Sequence, residues 1–347
     1  MSGIEDVARQ AGVSKSTASR ALSGSGYVSA ETRRRVREAA EAIGYVPSTS
    51  AVSLATGRTR NIGVVMPYLN RWFFAEVLEG IQEALLERGL DLTLYDAKPG
   101  TPGRARIFED FLARKRFDGL IAVGLEPDDH ELERLVRMGR PVVSVVGAGG
   151  SHSIVAIDDD YAARRATEHL LGLGHTDIAF LGGGRPDRHW AQVDRTRLNG
   201  YYAAMAEAGL GDATRHIESA VTLPGGYAAA VDALADPRSR PSAIVGACDE
   251  VAIGAIIAAR RLGVQVPSQL SVIGIDDHEF AEMFSLTTLR QIPRDQGAHA
   301  VALLIRHIED PDLEAEQVHL QARMVMRSST ASPSSRVAAS VADMRHG

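Results

Sequence analysis

Near the amino terminus the apolar positions recur at helical spacing. Ile4, Val7, Ala8 and Ala11 form one stripe and predict a short helix that Gly12 breaks. Ser14 is a good N-cap for a second helix, Lys15–Leu22, with Ala18, Ala21 and Leu22 on its inner face. A third helix is expected over Ala30–Ile43. Its inward stripe is Val36, Ala39, Ala40 and Ile43, its outward face carries Arg33, Arg34, Arg35 and Arg37, and Gly44 stands where a C′ glycine ends a helix. After residue 60 the pattern changes to apolar runs alternating with helical stretches. Strands are expected at Asn61–Met66, Leu92–Tyr95, Gly119–Val123, Pro141–Val146, Ile154–Ile157, Ile178–Leu181, Ala243–Gly246 and Ser271–Ile275. Helices are expected near Phe74–Arg88, Tyr161–Leu173, Thr196–Ala208, Gly226–Leu234 and Glu250–Leu262. Such alternation predicts an α/β body of doubly wound parallel sheets, which bind ligands at the carboxyl ends of their strands.

Composition narrows the class. The chain has 347 residues, 45% of them hydrophobic, enough for one large or two medium cores behind a small appendage. The single cysteine, Cys248, excludes a disulfide framework and a multi-cysteine metal site, and the 11 histidines show no ligand spacing. No metal or cofactor is therefore expected. Acids stand at Glu5 and Asp6, where a signal peptide needs bases, and no apolar run approaches a membrane span. A soluble, cytoplasmic chain without a membrane partner is expected. The net charge of −6 is unevenly spread: residues 1–60 carry nine Lys/Arg and five Asp/Glu, so the head is at +4 and the rest at −10. A basic head on an acidic body is what arises when only the head meets phosphate.

Two short helices joined by Ala11-Gly12-Val13 fit a helix-turn-helix, whose second helix enters the major groove by its amino end. Lys15, Ser16, Ser19 and Arg20 are then the base-reading residues, since arginine grips guanine with two hydrogen bonds and serine bonds several base edges. The hydroxyls of Ser14 and Thr17 suit phosphate oxygens. On pattern alone a generic three-helix bundle remains open. The run Ile4-Glu5-Asp6-Val7-Ala8-Arg9-Gln10-Ala11-Gly12-Val13-Ser14-Lys15-Ser16-Thr17-Ala18-Ser19-Arg20-Ala21-Leu22 resembles the headpiece of the lactose-repressor (LacI/GalR) family. Val28-Ser29, Thr32-Arg33, Arg35-Val36, Ala39-Ala40 and Gly44-Tyr45-Val46-Pro47 continue the resemblance. Gly3 departs from the family's usual Thr cap, and Ala18 from its usual Val.

The resemblance implies a role for Ser48–Thr59, a stretch too short to be a stable helix alone. The family's hinge helices fold in pairs on operator DNA, and a Leu from each wedges into the minor groove; Ala51 and Leu54 occupy those hinge positions here. Ser48 and Val52 stand where the family often has Asn and Arg. In the body, Leu170-x-x-Leu173-Gly174-His175, Arg197-x-x-Gly200-Tyr201, Asp249-x-x-Ala252-x-Gly254, Ser271-Val272-x-Gly274-x-Asp276-Asp277 and Arg327-Ser328-Ser329-Thr330 are also similar to the family. They imply a two-lobed, periplasmic-binding-protein-like (type I) sensor domain with three crossovers. The expected divisions are a helix-turn-helix domain at 1–47, a hinge at 48–59 and an effector-binding domain at 60–330. Within the last, the N-lobe is 60–160 with 291–320, the C-lobe 161–290 with 321–330. Residues 331–347, rich in Ser and Ala and without a leucine repeat, read as a disordered tail.

By the same resemblance the effector lies between the lobes. Arg197 and Asp276 form its polar floor, Phe73 faces it, and Cys248 and Trp190 line it. A guanidinium and a carboxylate converging there suit vicinal hydroxyls of a sugar. Arg197 bridging to an acid on its own lobe, Asp276 as a helix cap, and Trp72 and Phe74 as core are the plainer readings of the same residues. Cys248 stands where many sugar-responsive members have Asn, and Gly147 where Arg or Asp is common, so the cleft is expected to be roomier and to suit a larger sugar. Asp158-Asp159-Asp160 reads as helix-dipole complement rather than a metal site, and Gly182-Gly183-Gly184 as a turn. No nucleophile–base pair indicates an enzyme. The expected function is a homodimeric repressor that binds a pseudo-palindromic double-stranded operator under control of a small-molecule effector, expected to be a carbohydrate. A purine-type effector is the alternative, and an exported solute-binding protein would leave the head unexplained.

Overall fold

A computed structural model describes residues 3–24, 26–45, 57–114, 116–147, 152–184 and 191–334. The head is three helices, α1 (Ile4–Ala11), α2 (Lys15–Ser23) and α3 (Ala30–Ala42). Their shared core is small: Val7, Ala8, Ala11, Ala18, Ala21, Val36, Ala39 and Ala40. Gly12 takes the left-handed conformation (φ 63°) that ends α1, a backbone state that costs glycine little. Ser14 Oγ accepts the Thr17 N–H and starts α2. Gly3 offers no capping side chain, and Asp6 partly compensates by accepting the Gly3 N–H at 2.9 Å. α3 stops one residue earlier than its stripe predicts, with Ile43 at the C-cap.

The body contains two six-stranded sheets. The first runs β11-β5-β4-β3-β1-β2, all parallel, with β1 Asn61–Met66, β2 Asp91–Asp96, β3 Gly119–Leu125, β4 Val142–Gly147, β5 Ser153–Ile157 and β11 Gln317–Leu320. The second runs β12-β10-β9-β8-β6-β7, with β6 Ile178–Leu181, β7 Arg215–Ile217, β8 Ala243–Gly246, β9 Ser271–Asp276, β10 Thr287–Arg290 and β12 Arg323–Val325. Only the edge strand β12 is antiparallel to its neighbour. The chain passes between sheets three times, after β5, after β10 and after β11. Central strands are buried along nearly their whole length, which is why they read as unbroken apolar runs.

Four strands, β7, β10, β11 and β12, were not expected from the pattern, nor were the helices Pro102–Arg106, Asp129–Met138 and Pro293–Glu309. β7, β11 and β12 are three- or four-residue edge strands, partly exposed, and too short to carry an alternation. The helix Pro293–Glu309 crosses the helix Trp72–Glu87 at backbone contact. A Cβ on Gly80 would lie 2.1 Å from the Arg294 carbonyl oxygen, and one on Gly297 2.4 Å from that of Val77. That close approach makes 293–309 part of the first lobe's core, through Ala300, Val301, Leu303 and Leu304.

The tail expectation needs correction at its start. Ala331 donates its N–H to Ser271 Oγ at 3.0 Å, and its carbonyl lies 2.8 Å from His175 Nε2, so backbone pairing holds it on the second lobe despite its bland composition. Residues 335–347 lie outside the described residues. Among the described residues no helix is long and apolar enough to cross a membrane.

Candidate functional site

On the head, the expected reading residues Lys15, Ser16, Ser19 and Arg20 are all exposed on α2, while Ala18 and Ala21 between them are buried. The helical period thus separates a polar face from the core face within nine residues. Ser14 Oγ is 2.9 Å from both Ser16 Oγ and Thr17 Oγ1, gathering three hydroxyls at the helix start. Arg20 Nε donates to the Ser16 carbonyl at 3.2 Å, laying the guanidinium along the exposed face. Lys15 pairs with Glu5 at 2.8 Å in an exposed contact that solvent screens. The arginines of α3 divide by role. Arg34 is held by Glu31 and Glu38, and Arg35 donates to the Ala11 carbonyl at 3.1 Å, tying α3 to α1. Tyr27, between α2 and α3, is 94% exposed and was not singled out from the sequence. Ala51 and Leu54 lie outside the described residues.

In the body, the carboxyl ends of both sheets carry the chain reversals. Val146, Gly147, Gly182, Gly183, Asp276 and Asp277 all have positive φ there. Asp276 at φ 133° and Asp277 at φ 59° are left-handed non-glycine residues, a strain held by their surroundings. Asp277 is fixed by Arg290 at 2.5 Å and Arg327 at 2.7 Å.

Arg197 is buried on the helix Gln192–Glu207 and is the centre of a charged row. Its Nε donates to Asp159 Oδ1 at 2.8 Å, its Nη1 donates to the Ala247 carbonyl at 2.6 Å, and its Nη2 lies 3.7 Å from Asp276 Oδ1. Gln291 Nε2 donates to the same Asp276 oxygen at 2.5 Å, and Gln296 Nε2 donates to Gln291 Oε1 at 2.7 Å. Gln296 belongs to the helix Pro293–Glu309, so the row runs from the second lobe into the first. The buried Gln296 Oε1 has no hydrogen-bond partner among the described residues. The lobes meet again where Trp72 stacks on His278, ring centroids 4.8 Å apart, and where the Gln192 N–H donates to Glu126.

Arg197 thus bridges to Asp159, at the start of the helix Asp159–Gly172, and faces Asp276. Asp159, Gln291 and Gln296 were missed as members of the row. Asp159 stands within the acidic triplet, of which Asp158 accepts the Tyr161 N–H as the N-cap of the helix Asp159–Gly172. Phe73 is half-buried against the first core and meets Phe74 edge-on. Cys248 is buried in an apolar cluster of the second lobe, and that burial pushes its thiol well above the usual range. Trp190 lies outside the described residues.

One cation serves several carboxylates here. Burial opposes the charge of Arg197, yet Asp159 and Asp276 hold its guanidinium above its ordinary value. Burial also raises Asp159, Asp276 and Asp249, only partly offset by Arg197 and by hydrogen bonds. Asp249 accepts from Thr288 Oγ1 at 2.6 Å and from the His278 N–H at 2.8 Å. Asp194 is pushed up to about 6, chiefly by burial. Above the ordinary aspartate range the folded chain thus holds protons that the unfolded chain has released, so stability falls as pH rises through the raised values. Asp194→Asn is expected to melt with the wild type near pH 3.5, below the ordinary aspartate value, and above it near pH 8, by up to about 3 kcal/mol in stability. Equal melting temperatures at both values, measured by calorimetry, would show that Asp194 ionises without penalty.

A three-helix head with a hydroxyl-rich and cationic exposed helix, on two parallel-sheet lobes that enclose a charged row, defines a DNA-binding regulator with a ligand-binding body. Residues 3–48 match the family model of bacterial regulatory proteins of the lacI family, and residues 167–330 that of the periplasmic binding protein-like domain. Catabolite control protein A of Priestia megaterium is 32% identical over 334 residues, spanning 94% of this chain and 98% of its own. The HTH-type transcriptional repressor PurR of Vibrio campbellii is 32% identical over 340 residues, spanning 94% and 98%. The structure of the Lac repressor dimer bound to operator and the anti-inducer ONPF covers 95% of this chain and 99% of its own, with a TM-score of 0.83 at 25% identity. The complex of the transcriptional regulator CelR with cellobiose covers 95% and 100%, with a TM-score of 0.69 at 28% identity. The chain belongs to the lacI family of bacterial regulatory proteins.

Proposed function

We propose that this regulator is a cytoplasmic homodimeric repressor whose operator affinity is set by a carbohydrate bound between the lobes. The observation that carries the reading is the row Asp159–Arg197–Asp276–Gln291–Gln296, which spans both lobes and leaves one buried acceptor unused. A hydroxyl pair entering the cleft replaces the long Arg197–Asp276 contact, donating to the carboxylate and accepting from the guanidinium. Because Gln291 and Gln296 continue the row, the ligand changes how the first lobe sits on the second. Phe73 and Trp190 supply apolar walls for a sugar ring, and Cys248 in place of a stronger hydrogen-bonding residue leaves room. Effector preference between two such lobe arrangements is what makes the coupling allosteric.

The proposed divisions are a reading head at 1–47, a hinge at 48–59 and the sensor at 60–330. Lys15, Ser16, Ser19 and Arg20 read bases, Ser14 and Thr17 hold phosphate, and Ala51 and Leu54 of paired hinges enter the minor groove. Twofold symmetry then calls for a pseudo-palindromic operator. The cellobiose named in one relative's structure and the operator named in another support these assignments by similarity.

Asp276→Ala is expected to abolish the ligand response while leaving operator affinity within about threefold of wild type, a change under 1 kcal/mol. A thermal-shift screen against mono- and disaccharides finds the ligand, and a gel-shift titration with and without it reads the response. Normal induction of the variant would make Asp276 structural. Response to a purine and to no sugar would overturn the carbohydrate assignment alone.

A further inference from the structure

A second cleft, of about 660 Å³, opens on the first lobe, far along the chain and the sheet from the charged row. It lies at the amino ends of β4 and β5, through Val142 and Ser153, whereas the row lies at carboxyl ends. Gly57 and Arg58, near the end of the hinge stretch, line it. Its volume falls in the range of small-molecule sites, about 300–1,000 Å³.

Its walls are of two kinds. On the helix Asp129–Met138, Leu132 and Val136 stand one turn apart, 41% and 66% exposed, and both face the cleft. Exposed apolar side chains paired in a concavity mark a surface with something to cover. Opposite in character are Arg140, Arg58 and His307. Arg140 is half-buried, yet it makes no hydrogen bond or ion pair to any described residue, unlike Arg104 or Arg137 on the same lobe. A half-buried guanidinium without a partner among the described residues keeps its charge and its donors available to an anion, because arginine cannot shed its proton. His307 Nε2 lies 2.7 Å from Ser153 Oγ. The one carboxylate in the lining, Asp118, is already engaged: it accepts from Thr59 N at 2.7 Å, Thr59 Oγ1 at 3.0 Å and Arg60 N at 2.8 Å.

We propose that this cleft is a second ligand site, for an amphipathic organic anion whose carboxylate or phosphate is held by Arg140 and whose apolar part packs on Leu132 and Val136. The site shares no residue with the interlobe row. Its contact with Gly57 and Arg58 places the ligand at the point where the hinge stretch joins the body, and occupancy there modulates operator affinity.

Hexyl phosphate and octanoate, titrated calorimetrically into the full-length protein, test the site. Wild type is expected to bind both, and inorganic phosphate or hexanol at least tenfold more weakly. Arg140→Gln is expected to weaken both probes at least tenfold, the cost of one charge-assisted contact. Val136→Glu, which sets a like charge on an exposed wall, is expected to do the same. Arg137→Gln, one turn along but outside the lining, serves as the control and retains binding. Asp276→Ala should bind both probes normally, which separates failure here from failure of the interlobe reading. Binding by Arg140→Gln equal to wild type, or no binding by wild type at millimolar probe, overturns the proposal.

Discussion

Arg197→Ala is expected to remove about 3–5 kcal/mol of stability, because it strands Asp159 and Asp276 in a buried site without their shared cation. That is a large fraction of the roughly 5–15 kcal/mol by which a folded domain is stable. The loss is larger than the value of the pair itself, since what is measured includes the uncompensated carboxylates. Urea denaturation reads it as a lower midpoint. The double variant Arg197→Met with Asp159→Asn is expected to recover part of the loss, since it removes the stranded charge along with its partner. A loss below about 1 kcal/mol would mean that the carboxylates simply take up protons when Arg197 leaves. Whatever stability remains, ligand response should be absent, because Arg197 is the donor side of the row.

Arg20→Ala is expected to weaken operator binding far more than any other single change on the head. A two-pronged arginine–guanine contact discriminates by about 1–3 kcal/mol, and a dimer makes it at two half-sites. The expected loss is about 2–6 kcal/mol, from roughly thirtyfold to roughly twenty-thousandfold. Binding to unrelated duplex rests on phosphate charge and should fall much less. Gel-shift titrations on operator and unrelated DNA give the two numbers. Equal losses on both would reduce Arg20 to a backbone contact. The exposed position of Arg20, whose guanidinium is tethered among the described residues by the Ser16 carbonyl, lets it turn towards a base.

The head was legible because its determinants are local. Ser14 caps its own helix and Gly12 ends the preceding one, with the bonding partners three or four residues away. The central strands were legible because burial on both faces forces unbroken apolar runs, as at Ile62–Met66. The short edge strands were not, since their partners rather than their side chains define them. The helix Pro293–Glu309 has local signs of its own, Pro293 at its start and the stripe Ala300, Val301 and Leu304.

Chemistry separates more sharply than fold. The sequence determined the exposed polar face of α2, because one helical period sorts Ser16, Ser19 and Arg20 from Ala18 and Ala21 without help from the rest of the chain. By resemblance it also pointed to Arg197 and Asp276. Only the tertiary structure decided what they do to each other. Asp159 lies 38 residues from Arg197 and Gln291 lies 15 from Asp276, and no periodicity links such positions. The carboxyl ends of two sheets bring them together, and burial there lets one guanidinium hold two carboxylates. Arg140 is the same lesson reversed: nothing in Gly139-Arg140-Pro141 tells that its charge has no partner among the described residues, because that is a property of the folded surface.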